Sequence, residues 1–250
     1  MKAIFITVRT GSTRLPNKAL LEINNVPTIE YLIKRAKTSK LADLIVLCTT
    51  HSPNDDILCD IANRNNIEYF RGSTNDKLER WNGAAKEYNV DFFVTADGDD
   101  LFCEPELIDL AFSQYDSGQP DFIEGKNLIC GSFTYGIKQT ALQKVCEIKD
   151  TDDTEMMWVY FTDTGLFDVQ DLTNVPEVFK RSDIRMTLDY KDDFLFFERV
   201  INSFDNDQFS LRDIVRLIDN SPEIKEINFY LEEEWKNNQA AKTTLKVKNE

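Results

Sequence analysis

Over roughly the first hundred residues, short and almost continuously apolar runs alternate with segments whose apolar residues recur at helical spacing. This alternation restricts the fold more than any other feature of the chain. The runs are residues 3–8, 44–49, 67–70 and 92–95, each β-branched or aromatic, as strands covered on both faces should be. Between them, residues 28–37 place Ile29, Leu32, Ile33 and Ala36 on one stripe behind Pro27. A second helix is expected with Ser52 as N-cap, Pro53 at its first position, and Ile57, Leu58, Ile61 and Ala62 facing inward. The rhythm predicts an α/β fold with a doubly wound, mostly parallel sheet, and such sheets bind ligands beyond the C-terminal ends of their strands. Segments that follow strands are therefore where chemistry is to be sought.

The second half is less regular. Candidate strands at residues 132–137 and 166–169, with a helix between them, suggest that residues 120–182 form a β-rich insertion or arm for acceptor binding or dimerisation. Residues 184–188 read as a return to the main sheet, and 191–202 as a helix with Phe194, Phe197 and Val200 inward. Ser210 is expected to cap a helix carrying Ile214, Leu217 and Ile218. Residues 1–235 thus form a single domain, and 236–250 a polar, frayed tail.

Composition narrows the function. With 29 Lys and Arg against 44 Asp and Glu the formal charge is −15, which repels a nucleic-acid backbone and makes that partner unexpected. No stretch approaches the roughly 20 apolar residues of a membrane-spanning helix, and the N-terminal segment lacks the features of a signal peptide. The five cysteines are scattered and form no C-x-x-C pair, so reduced thiols in a cytoplasmic protein are expected. A single histidine, His51, gives no material for a His-rich metal site, and no G-x-S-x-G turn supports a Ser–His nucleophile.

Three segments could carry chemistry. VRTGSTRLPNK, residues 8–18, follows the first strand; a turn at Gly11 and Ser12 can aim backbone N–H groups at an anion, while Arg9, Arg14 and Lys18 supply three cations. That combination describes a triphosphate cradle, and it matches neither the Walker A pattern nor the dinucleotide fingerprint. VTADGDDLFCEPELI, residues 94–108, gathers Asp97, Asp99 and Asp100 at the end of the fourth strand, where a cation is needed to offset the crowding. Mg²⁺ suits such a place, since it takes one or two carboxylates and completes its shell with phosphate oxygens and water. RMTLDYKDDF, residues 185–194, puts Asp189 between a strand and a helix, which by itself is most often an N-cap.

The RxGSxRLPxK loop resembles the signature of the CTP-dependent sugar nucleotidyltransferases, among them the 3-deoxy-manno-octulosonate and acylneuraminate cytidylyltransferases and the spore-coat polysaccharide group. The resemblance implies a GT-A-like, Rossmann-like fold that transfers CMP from CTP to an acidic acceptor, with Arg9, Arg14 and Lys18 at phosphate-binding positions and Val8, Gly11, Ser12 and Asp97 also near the nucleotide. It places Asp99 at the metal-ligand position of a TGD motif, and Asp189 at a second one in a segment similar to V-D-T-P-E-D. YFRGSTNDKLERWNGAA, residues 69–85, is similar to RGSxxDVLxRYxxAA. That match implies Arg71, Ser73 and Asp76 near the nucleotide and Arg80 near the acceptor; the plainer reading makes Asp76 a helix cap and Arg80 an exposed ion-pair partner. VLCTTHSPNDD, residues 46–56, matches a loop approaching the base, with backbone groups around Thr49 and Thr50 as the contacts and His51 as a surface loop residue. An E-H-V-T acceptor segment is replaced by TEMMWVYF at residues 154–161, which keeps Glu155 for the acceptor but substitutes Met156, Met157 and Trp158. The implied partners are CTP, Mg²⁺, an acid sugar or small phosphate or phosphonate feeding a surface polysaccharide, and a second copy of the chain in a homodimer. The rival readings are a GT-A glycosyltransferase, which would use Asp97-Gly98-Asp99 as its D-x-D, and a catalytically inactive nucleotide-binding module.

Overall fold

The computed structural model describes residues 1–248; the last two residues of the expected tail, 249 and 250, lie outside the described residues. Nine strands form, β1 (Lys2–Thr7), β2 (Glu22–Ile23), β3 (Val26–Pro27), β4 (Leu44–Thr50), β5 (Glu68–Gly72), β6 (Phe92–Asp97), β7 (Phe122–Glu124), β8 (Tyr135–Lys138) and β9 (Val169–Asp171). Seven of them make one sheet in the order β5-β4-β1-β6-β8-β7-β9, with β2 and β3 as a separate ribbon. β1 pairs in parallel with β4 and β6, and β4 with β5, whereas β8 is antiparallel to both β6 and β7. The order reverses at β1, so the loop leaving β1 opens at the switch point of the sheet.

Among the described residues ten α-helices form: α1 (Thr28–Ala36), α2 (Asp56–Arg64), α3 (Lys77–Glu87), α4 (Pro105–Gly118), α5 (Gln139–Ile148), α6 (Val159–Thr162), α7 (Lys191–Ile201), α8 (Leu211–Asn220), α9 (Glu223–Glu226) and α10 (Glu232–Lys242). Alternation along β1 divides the core. Ile4 and Ile6 join the apolar residues of α1, α2, α4, α7 and α8, while Ala3 and Phe5 join those of α3, α5 and α6. Phe5 stacks on Phe93 of β6 at 4.3 Å between centroids, and each such fully buried ring contributes roughly 1.5–3 kcal/mol. The helix starts are chemically marked: Ser210 accepts from the Asp213 backbone N–H, and Asp76 accepts from that of Glu79.

Several sequence expectations are corrected. Ile57 is 40% exposed, because the first turn after Ser52 is a 3-10 turn, Pro53–Asp55, and this rotates the stripe of α2 to Leu58, Ile61 and Ala62. Residues 184–188 do not enter the sheet, since β8 already occupies the edge of β6. They cross the C-terminal ends of the strands instead, the Met186 N–H donating to the Cys130 carbonyl and that of Leu188 to Asp99, both at 2.9 Å. Residues 120–182 supply β7, β8 and β9 to the main sheet together with α5 and α6; within that stretch Ser132 lies in a bend before β8 and Leu166 is 58% exposed. Beyond Trp235 the chain is helical to Lys242 rather than frayed.

Two devices fix the loops above the sheet. Asp55 is buried and accepts from the Thr10 N–H at 2.8 Å, the Thr10 hydroxyl at 2.7 Å and the Thr50 hydroxyl, pinning the β1 loop to the turn before α2. Burial alone would raise its carboxyl, but the Thr50 and Thr10 bonds outweigh that and hold it below the usual range. Gly131 has φ +83°, and a Cβ there would lie 2.0 Å from the Met186 carbonyl oxygen, so only glycine lets residues 130–132 meet the 184–188 crossing.

Gly131→Ala is expected to cost about 2–3 kcal/mol in denaturant unfolding, since a positive φ and a backbone clash act together; a loss below about 0.5 kcal/mol would contradict the packing. Asp55→Asn should destabilise the protein by about 1–2 kcal/mol at neutral pH. Because the folded carboxyl lies below its unfolded value, that contribution is complete above about pH 4 and is lost as pH falls through the folded pKa. Unfolding curves of both proteins from pH 7 down to pH 3 should therefore show the gap closing; a gap independent of pH would refute the account.

Candidate active site

Beyond the C-terminal ends of β1 and β6 lies a cleft of about 800 Å³. The loop after β1 forms one side with Val8, Arg9, Gly11, Ser12, Arg14 and Lys18; the turn after β6 forms the floor with Asp97, Gly98, Asp99 and Asp100. The two approach closely, the Gly98 N–H donating to the Thr7 carbonyl at 2.8 Å, and a Cβ on Gly98 would fall 2.7 Å from the Val8 side chain.

Lys18 is the meeting point. Its Nζ donates to Asp99 at 2.5 Å and to Asp189 at 2.9 Å, and Arg14 adds a bond to Asp189 at 2.5 Å. Asp189 enters from the loop before α7, where its own N–H and that of Tyr190 donate to Asp193 at 2.8 and 2.9 Å. Arg185, with no exposed surface, donates twice to Asp193 and once to Glu232 of α10. Around this centre Arg9 donates to the Thr74 carbonyl at 3.0 Å and to Glu155 at 3.4 Å, and Lys77 donates to Asp97 at 3.3 Å.

The carboxyls respond unequally. Burial would raise Asp189, but the charge of Lys18 and the bond from Arg14 win and hold it at about 2. Asp99 moves up, because desolvation together with the charges of Asp189 and Asp97 outweighs the single lysine. Asp100 is pushed well above its ordinary value by burial and by its two acidic neighbours. Lys18 rises despite its burial, held charged by Asp99 and Asp189. The acidic floor of the cleft thus lies crowded and desolvated directly beside Arg9, Arg14 and Lys18.

Arg9, Arg14, Lys18, Asp97, Asp99 and Asp189 converge in this one cleft, as do Val8, Gly11, Ser12, Arg80 and Glu155. Three expected contacts do not. Thr49 is fully buried inside the sheet; Arg71 is turned outward to Asp56 and to the Thr50 and Ser52 carbonyls; Ser73 serves the turn before α3, accepting from the Asp76 N–H. None of the three lines the cleft. Asp76 is the helix cap of the plainer reading and is further bound by Lys149 and Thr154. Arg80 is buried rather than exposed and donates to the Ser73 carbonyl, not to an acidic partner. Reading the sequence missed Lys77 and the wall made by α10, where Trp235, Lys236, Gln239 and Lys242 face the cleft. The available signal was a tryptophan and a glutamine four residues apart in an otherwise polar stretch, a spacing that shares one helix face.

The cytidylyltransferase family model matches residues 3–234. An uncharacterised protein of Methanocaldococcus jannaschii is 34% identical over 91% of this chain and 95% of its own length. The spore coat polysaccharide biosynthesis protein SpsF of Bacillus subtilis is 26% identical over 76% of this chain and 81% of that protein. A cytidylyltransferase structure from Leptospira borgpetersenii superposes with a TM-score of 0.81 at 28% identity, covering 89% of this chain and 95% of the other. A match spanning the β1 loop, the acidic floor and the Asp189 segment together means that this chain belongs to the cytidylyltransferase family and is a nucleotidyltransferase.

Proposed function

We propose that the protein transfers CMP from CTP to an acidic acceptor in an Mg²⁺-dependent reaction that releases pyrophosphate, supplying an activated precursor for a surface polysaccharide. The observation that carries this reading is the convergence of Arg14, Lys18, Asp99 and Asp189 in one cleft. An acceptor oxygen forms a bond to the α-phosphorus while the bond to the bridging oxygen of the β-phosphate breaks, and the electron pair leaves with pyrophosphate. Charge grows on the departing group, so Arg9, Arg14 and Lys18 serve as fixed cations for the β and γ phosphates, and the Arg14 Nε, buried without a partner, is one donor available to them.

The residues fit a magnesium ion. Asp99 and Asp189 already direct carboxylate oxygens at a single positive atom, Lys18 Nζ, and the raised Asp99 carboxyl marks negative charge that one lysine does not satisfy. Among the described residues no three His, Cys, Asp or Glu side chains gather in a metal-holding group, which suits an ion whose shell is completed by substrate phosphates and water. When bound, Mg²⁺ supplies Lewis-acid stabilisation of phosphate charge.

The cleft also argues for an acid as acceptor. Its lining contains no histidine, and five of its carboxylates are paired with cations: Asp97 with Lys77, Asp99 and Asp189 with Lys18, Glu124 with Lys126, Glu155 with Arg9. Asp100 is buried at the floor beneath Asp97 and Asp99. An acceptor activated by its own acidic group needs no protein general base.

Pyrophosphate release assayed with each of the four nucleoside triphosphates against acid sugars, phosphates and phosphonates should give turnover with CTP alone; equal rates with all four would sink the cytidine assignment. Lys18→Ala should lower kcat/KM by about 10²–10³, the usual loss for one fixed donor to transition-state charge, whereas Arg71→Ala, outside the cleft, should stay within about threefold. The reverse ranking would show that the phosphates bind elsewhere.

A further inference from the structure

A lysine in the first turn of a helix sits at the positive end of the helix dipole, where an anion is favoured and a cation is not. Lys77 opens α3 in that unfavourable place, directly behind the Asp76 cap. Its Nζ stands over the Trp81 ring, 5.3 Å from the centroid, and reaches Asp97 in the cleft at 3.3 Å. The fold builds this reach. Trp81 is buried and its Nε1–H donates to the Thr7 hydroxyl at 2.8 Å, and Thr7 is the residue of β1 that faces Asp97 in the β1–β6 pairing. The start of α3 is thereby fastened beside the last residue of β6. A single partly exposed ion pair adds little to stability, so the reason for this lysine is to be sought in what Asp97 does.

We propose that Lys77 is a positioning residue of the acidic floor: it occupies Asp97, so that the floor takes a divalent cation together with the nucleoside triphosphate and holds the bare ion poorly. This rests on the cytidylyl-transfer reading above. Asp97, Asp99 and Asp100 leave β6 in one tight turn, closed by the Asp100 N–H on the Asp97 carbonyl at 2.9 Å, and Asp189 lies in the same cleft. Lys18 and Arg14 answer Asp99 and Asp189, and among the described residues Lys77 alone pairs with Asp97. Without it, Asp97 would add an unopposed charge to a cluster of oxygen ligands of the kind that binds Mg²⁺ or Mn²⁺. The ammonium acts with opposite sign on the two ligands: it repels a bare dication and attracts a polyphosphate.

The sequence points to the same pair. RGSxxDVLxRYxxAA, which residues 69–85 resemble, has valine where Lys77 stands, and the TGD motif has threonine where Asp97 stands. Two neutral positions are thus replaced here by opposite charges that touch each other from 20 residues apart. Neither replacement is neutral alone, since an aspartate by itself strengthens the floor as a chelate and a lysine by itself opposes the other carboxylates' hold on a cation. Together they cancel. The contact is also the longest that a lysine makes to the floor, 3.3 Å against 2.5 and 2.9 Å for Lys18, and the flexible stem of a lysine lets its charge turn toward an arriving phosphate.

The test titrates Mn²⁺ into the full chain without nucleotide, counting the free ion by electron paramagnetic resonance, and measures CTP binding without metal by calorimetry. The proteins are wild type, Lys77→Met, Lys77→Gln, Lys77→Arg and the double variant Lys77→Met with Asp97→Asn. Lys77→Met keeps an unbranched stem over Trp81 and removes only the charge. It and Lys77→Gln should each tighten Mn²⁺ about five- to thirtyfold, the effect of one charge on a dication across a half-wet cleft, and weaken CTP at least about threefold. Lys77→Arg should stay within about threefold of wild type for both ligands, and the double variant should return Mn²⁺ binding to within about threefold. Loss of a merely structural lysine would weaken both ligands together. Three results each overturn the proposal: Mn²⁺ binding that neither neutral variant tightens, undetectable binding in every protein included; CTP binding that neither weakens; or a double variant that binds Mn²⁺ as tightly as Lys77→Met. Failure of the wild type to bind CTP with or without the ion would instead remove the nucleotide reading, and the nucleotide-free Mn²⁺ comparison would then decide the role of Lys77 by itself.

Discussion

The arrangement of the cleft follows from the need to neutralise acid. Asp97, Asp99 and Asp100 leave β6 almost consecutively, and Asp189 joins them, so the floor would repel itself apart without cations aimed into it. Lys18 answers two of these carboxylates at once, from positions 81 and 171 residues away along the chain. Breaking one side of so desolvated an ion pair costs about 3–5 kcal/mol, so the β1 loop, the β6 turn and the α7 entry are locked to each other by charge rather than by apolar contact. That lock uses up the strongest cation of the cleft in holding acids together. A polyanionic ligand arriving with its own counter-ion meets a lysine and an arginine already desolvated and oriented, and this preorganisation is what an electrostatically stabilised phosphoryl-type transfer requires.

The parts legible in the sequence are those whose physics is local or periodic. Strands β1, β4 and β6 announced themselves because burial on both faces removes polar alternation, and the two loops announced themselves because three cations around a Gly-Ser turn and three aspartates after a strand are unusual in any other role. Residues 184–188 were illegible for the opposite reason. Their apolar, extended pattern satisfies a strand, yet their backbone bonds go to the Cys130 and Asp99 carbonyls, and whether a sheet edge is vacant is a property of the whole topology. Thr49 and Arg71 face each other in the register of β4 on β5, yet the protein itself occupies both: Thr49 is fully buried, and Arg71 is bonded to Asp56 and to the Thr50 and Ser52 carbonyls, so neither lines the cleft. The helix α10 was hidden by its composition, since a face turned toward a wet cleft needs no apolar stripe.

Arg185 shows how the late-chain elements are made to agree. A guanidinium with no exposed surface is expensive, and a well-packed apolar residue in its place is often no less stable, so bulk stability alone gives little reason for it to be there. What the ion provides is direction. Its planar fork takes Asp193 with two nitrogens and Glu232 with a third, while its faces meet Tyr190 and Trp235 at 5.9 and 5.1 Å. These partners lie on α7, on α10 and in the turn that carries Asp189, and a hydrophobic cluster would hold the same elements without fixing their rotation.

The distribution of unsatisfied groups completes the argument. A chain that elsewhere partners nearly all its buried polar side chains leaves five of eight exceptions on residues lining a single cleft. Random packing faults would scatter, and faults of the fold would gather where elements join poorly, yet the sheet and both apolar clusters beneath the cleft are closely packed. The two sides also differ in kind: donors alone beside the cationic loop, mixed donor and acceptor across from it.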